Sequence, residues 1–170
     1  GVCIMGYTHY WYKEPILSQK SWFDFANDFV KVLPHFYKEL DSTTDQKFYI
    51  NSDELFLNGV GENSHETFYF SRVIEDIKDY QKDDNSTKIF ACCKTARKPY
   101  DISVCCALII AKKHFRGDID VKSDGEDEDG WDKAKELCQD ILKYGENFDI
   151  SYEVQEKFAG GTFRNTTIKG

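Results

Sequence analysis

FACCKTARKPYDISVCCALIIAKKHF, residues 90 to 115, is the stretch that decides the fold. It begins within a short apolar run, Ile89 to Cys93, and passes through a polar, basic turn, Lys94 to Asp101. It ends in a run that is apolar nearly all round, Ile102 to Ala111. A helix that is apolar on every face is normally buried in the middle of a domain. The stretch therefore predicts a strand, a polar turn and a central helix.

The ends of this central helix carry their own signals. We expect it to begin near Lys98 or Pro99, because proline suits the first helical position. Asp101 then lies in the first turn, where the helix dipole favours a negative charge. Three basic residues, Lys112 to His114, lie in the last turn, where the dipole favours positive charge, and Gly117 follows as the expected C-terminal cap.

The length and composition predict one folded domain. The chain has 170 residues, of which 41% are hydrophobic and 15% aromatic, enough for a substantial core. We expect a single domain over residues 1–170, with 1–4 as a leader and 159–170 as a flexible tail. No apolar run approaches 18 residues, so we expect no membrane partner.

The net charge and the cysteines restrict the expected binding partners and the expected cellular compartment. A formal charge of −8 disfavours bulk nucleic-acid binding, although a local basic patch can still bind an anion. The six cysteines include two adjacent pairs inside apolar runs, which is not the spacing of zinc sites or of a disulfide framework. We therefore expect buried free thiols and a reducing, intracellular setting, the cytoplasm.

Strands and helices alternate irregularly along the chain. The strand candidates are 4–12, 48–50, 54–58, 66–70, 89–93, 118–123 and 148–154, and the helix candidates are 18–33, 98–114 and 131–142. In the first strand, alternation places Tyr7, His9 and Trp11 on one face. A hairpin in the middle favours an α+β domain with a mainly antiparallel sheet and two or three packed helices. The order of elements is also that of an elaborated ferredoxin-like split β-α-β.

Three blocks carry a resemblance. They are Met5-Gly6-Tyr7-Thr8-His9-Tyr10-Trp11, Cys93-Lys94-Thr95-Ala96-Arg97-Lys98-Pro99-Tyr100-Asp101, and Ser123-Asp124-Gly125 followed by Trp131. The chain resembles, over roughly residues 5–145, a set of small uncharacterised proteins of bacteriophages and some microbial eukaryotes. The resemblance implies no activity. It implies a viral setting and a tolerant surface loop at residues 71–88.

The basic turn is the strongest candidate for a functional site. It holds three cations in five residues of an acidic protein and precedes a helix N-terminus, where free backbone N–H groups attract anions. This pattern predicts a site for a nucleotide or another phosphorylated small molecule. The expected ligand-binding residues are Lys94, Thr95, Arg97, Lys98 and Tyr100, with His9 and Trp11 from the first strand. Alternatively, these cations pair with the protein's own carboxylates, Arg97 with Asp101 or Glu66.

His65 and Glu66 are the candidate catalytic residues. His65-Glu66-Thr67 resembles half of an H-x-T phosphoesterase pattern, and either side chain could act as a general base beside Lys94 or Arg97. The acidic run 118–129 fits no EF-hand frame, so it reads as a solvated loop. We expect no metal and no cofactor.

Three functions from different classes remain open. The first is a small-ligand binding protein for a phosphorylated anion. The second is a phosphoesterase or nuclease that uses His65 and Glu66. The third is an interaction or assembly protein without a small-molecule site.

Overall fold

The computed structural model describes residues 7–42, 47–157 and 163–169, and the backbone alone at 127, 151–157 and 163–169. The first expected strand and helix are present, and Ser18 caps the helix by accepting a hydrogen bond from the Ser21 amide. The helices are α1 (Gln19–Val32), α2 (Asp101–Phe115) and α3 (Asp132–Leu142). The strands are β1 (Thr8–Lys13), β2 (Tyr49–Ile50), β3 (Glu54–Leu57), β4 (Phe68–Ser71), β5 (Ile89–Lys94), β6 (Ile119–Ser123), β7 (Ser151–Lys157) and β8 (Phe163–Lys169).

The main sheet has five strands in the order β5-β1-β6-β7-β8. β1 runs antiparallel to both β5 and β6, so those two strands are parallel to each other with β1 between them. Because α2 joins β5 to β6, the three elements form a split β-α-β unit. β7 is parallel to β6 and antiparallel to β8. The expected α+β class with a mainly antiparallel sheet and three helices is confirmed.

A second, three-stranded antiparallel sheet, β2-β3-β4, closes the core from another side. α2 fills the centre: all residues from Ser103 to Ala111 are buried, as its unbroken apolar run predicts. Phe70 of β4 packs against Trp22 and Phe25 of α1 and against Phe115 at the end of α2. Both sheets and all three helices therefore share one hydrophobic core.

The ends of α2 differ from the prediction. The helix begins at Asp101, not at Lys98 or Pro99, because the Asp101 amide bonds the Lys98 carbonyl and closes a separate turn before the helix. At the other end the residue with positive φ is Arg116, with φ of 49° and ψ of −118°, and not Gly117, which was the expected cap.

The C-terminal segment and one cysteine also differ from the prediction. Residues 163–169 form β8, which pairs with β7 over its full length, so this part of the tail is a strand. Cys92 is disulfide-bonded, which contradicts the expectation of free thiols at that position. Its side chain lies on the face of β5 opposite the core-facing Cys93, by strand alternation. Cys93, Cys105, Cys106 and Cys138 are free and buried, as expected.

No helix within the described residues is long and apolar enough to cross a membrane. The expected leader at residues 1–4 lies outside the described residues.

Candidate functional site

The basic turn connects β5 to α2 through an unusual backbone. Ala96 and Arg97 both have positive φ, 51° and 56°. The left-handed region costs an L-residue roughly 1–2 kcal/mol, and it is rare for two successive non-glycine residues. Hydrogen bonds hold the turn: the Ala96 amide bonds the Tyr7 carbonyl at 3.4 Å, and the Lys98 amide bonds the Thr95 carbonyl at 3.0 Å. Sparsely populated backbone conformations of this kind cluster at functional sites.

Asp101 occupies the start of α2 with a buried carboxylate. Its Oδ1 accepts hydrogen bonds from His9 Nε2 at 2.6 Å and from Thr95 Oγ1 at 2.5 Å, and its Oδ2 accepts one from the Tyr7 hydroxyl at 3.0 Å. Burial alone would raise the pKa of Asp101, but the bonds from His9, Thr95 and Tyr7 outweigh it and hold this pKa below its usual value. The helix dipole also favours the charge.

This arrangement changes the expected anion site. The amides of Asp101, Ser103 and Val104 bond the carbonyls of Lys98 and Tyr100. The dipole faces the Asp101 carboxylate. The helix N-terminus is therefore occupied from within the protein, and an external anion would have to bind through the side chains of the turn.

Four of the predicted ligand-binding residues lie inside the protein. Thr95 bonds Asp101, and the Tyr100 hydroxyl bonds the Glu66 carbonyl at 2.5 Å. Trp11 is a core residue packed on the aromatic rings of β4. His9 lies fully buried between the rings of Tyr7 and Trp131. Thr95, Tyr100 and His9 support the turn, and none of the four faces solvent.

Arg97 is the exposed cation of the turn. Its guanidinium carbon lies 4.3 Å from the centre of the Tyr7 ring, and its Nε donates to Asp129 Oδ1 at 2.9 Å. The side chain of Arg97 is 62% exposed and that of Asp129 is 23% exposed. The hydrogen bond from Arg97 is the main reason why the pKa of Asp129 is lowered. Internal pairing was expected with Asp101 or Glu66, and the partner is instead Asp129.

The other two cations do not converge on Arg97. Lys98 Nζ donates to the Glu62 carbonyl at 2.9 Å, so it reaches across to the loop before β4. Lys94 pairs with Thr8 in the sheet register, and alternation places its side chain on the face opposite Cys93.

The structure brings both candidate catalytic residues to the first residue of the turn. Glu66 Oε2 accepts the Lys94 amide at 2.7 Å, and His65 Nδ1 lies 2.8 Å from the Lys94 carbonyl. A carbonyl can only accept, so Nδ1 is the donor in this hydrogen bond. When His65 is neutral, its Nε2 therefore carries the lone pair. Both side chains are exposed.

The cysteines near the turn are not activated nucleophiles. Cys93 is buried at the end of β5, with its thiol hydrogen-bonded to the Glu66 carbonyl at 3.4 Å. Burial raises the pKa of Cys93 and also that of Cys105, so both stay protonated at neutral pH. A nucleophilic cysteine needs a lowered pKa.

A buried trio has the residue types of a metal site. His9, Asp101 and Cys105 bring their ligand atoms within 4.8 Å of one another. Cys105 Sγ lies 3.7 Å from both His9 Nε2 and Asp101 Oδ2. Sequence analysis named only His9 as a site residue. Asp101 and Cys105 lie one turn apart on α2 and far from His9 in the chain, and no local signal in the sequence links the two segments.

Two glycines let the loop after β6 lie directly on this cluster. A Cβ on Gly125 would lie 2.6 Å from the Tyr7 ring, and a Cβ on Gly130 would lie 2.4 Å from Asp101 Oδ2. The acidic loop therefore packs over the site, where a solvated loop was expected.

Residues 68–143, a little under half of the chain, match the family model Init_tRNA_PT, described as the Rit1 DUSP-like domain. The matched segment runs from β4 to the end of α3 and contains the whole basic turn. Searches against curated proteins and against solved structures found no match. The resemblance to bacteriophage proteins stays a prediction. Part of this chain is thus similar to the Rit1 DUSP-like domain.

Proposed function

We propose that this chain binds a phosphate-bearing ligand, a nucleotide or the phosphorylated end of an RNA, at the basic turn. The observation that carries the proposal is the exposed guanidinium of Arg97, which is held over the Tyr7 ring. Arg97 lies within the segment that matches the Rit1 DUSP-like domain. Arginine presents a planar fork that suits two oxygens of a phosphate.

Exchanging the internal partner of Arg97 for a ligand is energetically favourable. Its ion pair with Asp129 lies at the surface, with Arg97 62% and Asp129 23% exposed, and surface pairs contribute only about 0–1 kcal/mol. A charge-assisted hydrogen bond to a bound phosphate contributes about 1.5–3 kcal/mol. The ligand therefore gains more from Arg97 than the protein loses when Asp129 is released.

The backbone of the turn supports the same proposal. Ala96 and Arg97 both have left-handed backbone conformations, which cost conformational energy. Hydrogen bonds to the carbonyls of Tyr7 and Thr95 hold the turn in this shape. Holding Arg97 in a defined position reduces the entropy lost when a ligand binds.

The charge balance favours one phosphate group over a nucleic-acid backbone. A net charge of −8 repels a long polyanion, whereas the exposed arginine of the turn suits a single terminal phosphate. The name of the matching family refers to an initiator tRNA, and a tRNA is therefore the RNA to test.

The test is calorimetric titration with a nucleoside monophosphate, the matching nucleoside, and a tRNA with and without its 5′ phosphate. We expect binding only of the phosphorylated forms, and the tRNA arms separate an RNA end from a free nucleotide. Arg97→Ala should weaken binding by about ten- to a hundredfold and leave the fold intact. Lys20→Ala is the matched control, because it breaks an exposed ion pair with Asp24 on α1. Equal binding by wild type and Arg97→Ala, or none by wild type, would overturn the proposal.

The position of His65 favours hydrolysis as a second candidate function. Its bond to the Lys94 carbonyl fixes the ring beside the turn and directs the basic lone pair to Nε2. Phosphate release in the same samples, lost in His65→Ala while binding persists, would add a general-base role. Binding without release would leave a binding protein.

A further inference from the structure

A buried row of polar groups runs from Trp131 through Ser123 and His9 to Asp101, behind the basic turn. Ser123 ends β6 opposite His9 in the sheet register, and both side chains are shielded from solvent. Neither side chain reaches the surface of the protein. Their role therefore has to be worked out from their own hydrogen bonds.

The hydroxyl of Ser123 determines where the protons lie. Its Oγ is 2.9 Å from the Gly125 amide nitrogen, 3.2 Å from Trp131 Nε1 and 2.8 Å from His9 Nδ1. The amide and the indole can only donate, so they use both acceptor sites of the oxygen. The single hydroxyl proton must then point to His9 Nδ1.

The protonation state of His9 follows from this. Nδ1 accepts the Ser123 proton, so a neutral ring carries its own proton on Nε2. That proton is donated to Asp101 Oδ1 at 2.6 Å. The contact is accordingly a hydrogen bond from neutral His9 to ionised Asp101. A metal ion would need the Nε2 lone pair, so the same tautomer argues against metal binding by His9, Asp101 and Cys105.

We propose that Ser123 and His9 are positioning residues that hold the basic turn in its binding conformation. The Ser123 hydroxyl sets the His9 tautomer, and His9 fixes the Asp101 carboxylate. Asp101 then holds Thr95, the first residue after β5, and the hydroxyl of Tyr7, whose ring carries Arg97. The link to ligand affinity rests on the proposed function, whereas the link to the position of Arg97 does not.

The first measurement is the ¹⁵N NMR signature of the His9 ring, assigned by its loss in His9→Gln. In wild type we expect the neutral tautomer protonated at Nε2. Trp131→Phe frees one acceptor site on Ser123, so Nδ1 of His9 can then also carry a proton, and the ring should populate the form protonated at both nitrogens, which keeps its bond to Asp101. A purely structural role of Trp131 would leave the protonation of the ring unchanged. Protonation at Nδ1 in wild type, or a shift of the His9 signals on adding zinc, would overturn the proposal.

The second measurement follows the turn itself. The Arg97 Nε–H resonance reports the Tyr7 ring and the Asp129 bond without any ligand. Ser123→Ala should move it to the position of a free arginine, and Ser123→Thr, which keeps the hydroxyl, should restore it. Cys138→Ala, a buried change on α3 outside this row, is the control for general destabilisation. An unchanged Arg97 signal in both Ser123→Ala and Trp131→Phe would contradict the positioning role.

Titration with the nucleoside monophosphate separates the two proposals. If both hold, Ser123→Ala weakens binding by about tenfold or more and Ser123→Thr restores it. Should wild type bind no phosphate while the tautomer and the Arg97 signal behave as expected, the proposed function fails and the positioning role stands. Undiminished binding by Ser123→Ala with a displaced Arg97 signal would overturn the link to affinity.

Discussion

Two clusters in this protein use the same three residue types in different surroundings. At the start of α2, Asp101 accepts hydrogen bonds from His9 at 2.6 Å and from the Tyr7 hydroxyl at 3.0 Å. Near the end of α2, Asp28 lies 2.7 Å from His114 and accepts the Tyr144 hydroxyl, also at 2.7 Å. The distances are similar, so the chemistry of the pairs does not distinguish them.

Burial and the further partners make the difference. The side chains of His9 and Asp101 are 0% and 6% exposed, against 19% and 17% for His114 and Asp28. The buried cluster continues into Ser123 on one side and into the basic turn on the other. The outer cluster joins α1, α2 and the segment just after α3, with Lys31 as an exposed extra donor. We infer that the first cluster shapes a site and that the second fastens helices together.

The largest expected effect comes from removing each carboxylate in turn. Asp101→Ala leaves His9, Thr95 and Tyr7 without their buried acceptor, and each unsatisfied buried donor costs about 1–3 kcal/mol. We expect a loss of more than about 3 kcal/mol in the free energy of unfolding. Asp28→Ala should cost about 1–2 kcal/mol, because water can replace the acceptor at this partly exposed position. Urea unfolding of both variants measures the difference, and equal losses would remove the distinction between the clusters.

The sequence predicted the strand and the helix that carry the buried cluster, but not the contacts between their side chains. The unbroken apolar run of α2 predicted a central helix, and alternation along the first predicted strand placed Tyr7, His9 and Trp11 on one face; all three are buried. His9 and Asp101 are 92 positions apart, and no local pattern indicates that β1 and α2 bring them together. The polar composition of β8 concealed a strand that forms by pairing with β7.

The prediction of the turn shows the same limit. Composition correctly marked residues 94–100 as a basic connection between a strand and a helix. The direction of each cation depends on backbone dihedrals that composition does not encode, such as the left-handed Ala96 and Arg97. The sequence therefore suggested one convergent cluster, whereas Arg97 and Lys98 reach different neighbours.

Lowering the pH should reveal how much both carboxylates contribute to the stability of the fold. Burial would raise the pKa of Asp101 and of Asp28, but hydrogen bonds from His9 in one case and from Tyr144 and His114 in the other lower both. A carboxyl whose pKa is lower in the folded state stabilises the fold above its unfolded value, near 4, and loses that contribution as pH falls further. Stability should therefore decrease below about pH 4.

The two clusters can be separated in the same acid experiment. Asp101→Asn and Asp28→Asn each remove one titrating group, so each variant should show a shallower loss of unfolding free energy below about pH 4 than wild type. Lys31, His114 and Tyr144 face Asp28, and His9, Thr95, Tyr7 and Cys105 face Asp101. Urea unfolding at several pH values gives the slopes. A slope equal to that of wild type in either variant would show that its carboxyl keeps the same pKa in the folded and unfolded chain.

The smallest expected effect concerns the left-handed residue beside each cluster. Ala96 lies in the basic turn, and Lys143, with φ of 64°, caps α3 next to Tyr144. Glycine relieves roughly 1–2 kcal/mol of strain at such a position. It also destabilises the fold by about 0.4–1 kcal/mol, because the unfolded chain gains conformational freedom. Ala96→Gly and Lys143→Gly should therefore each stabilise the fold by about 0–1.5 kcal/mol, measured by thermal or urea unfolding. Their effects on function should diverge. Ala96→Gly loosens the residue that precedes Arg97 and should weaken phosphate binding, whereas Lys143→Gly should leave binding unchanged. Equal binding by both variants would indicate that the strained backbone of the turn does not contribute to the placement of Arg97.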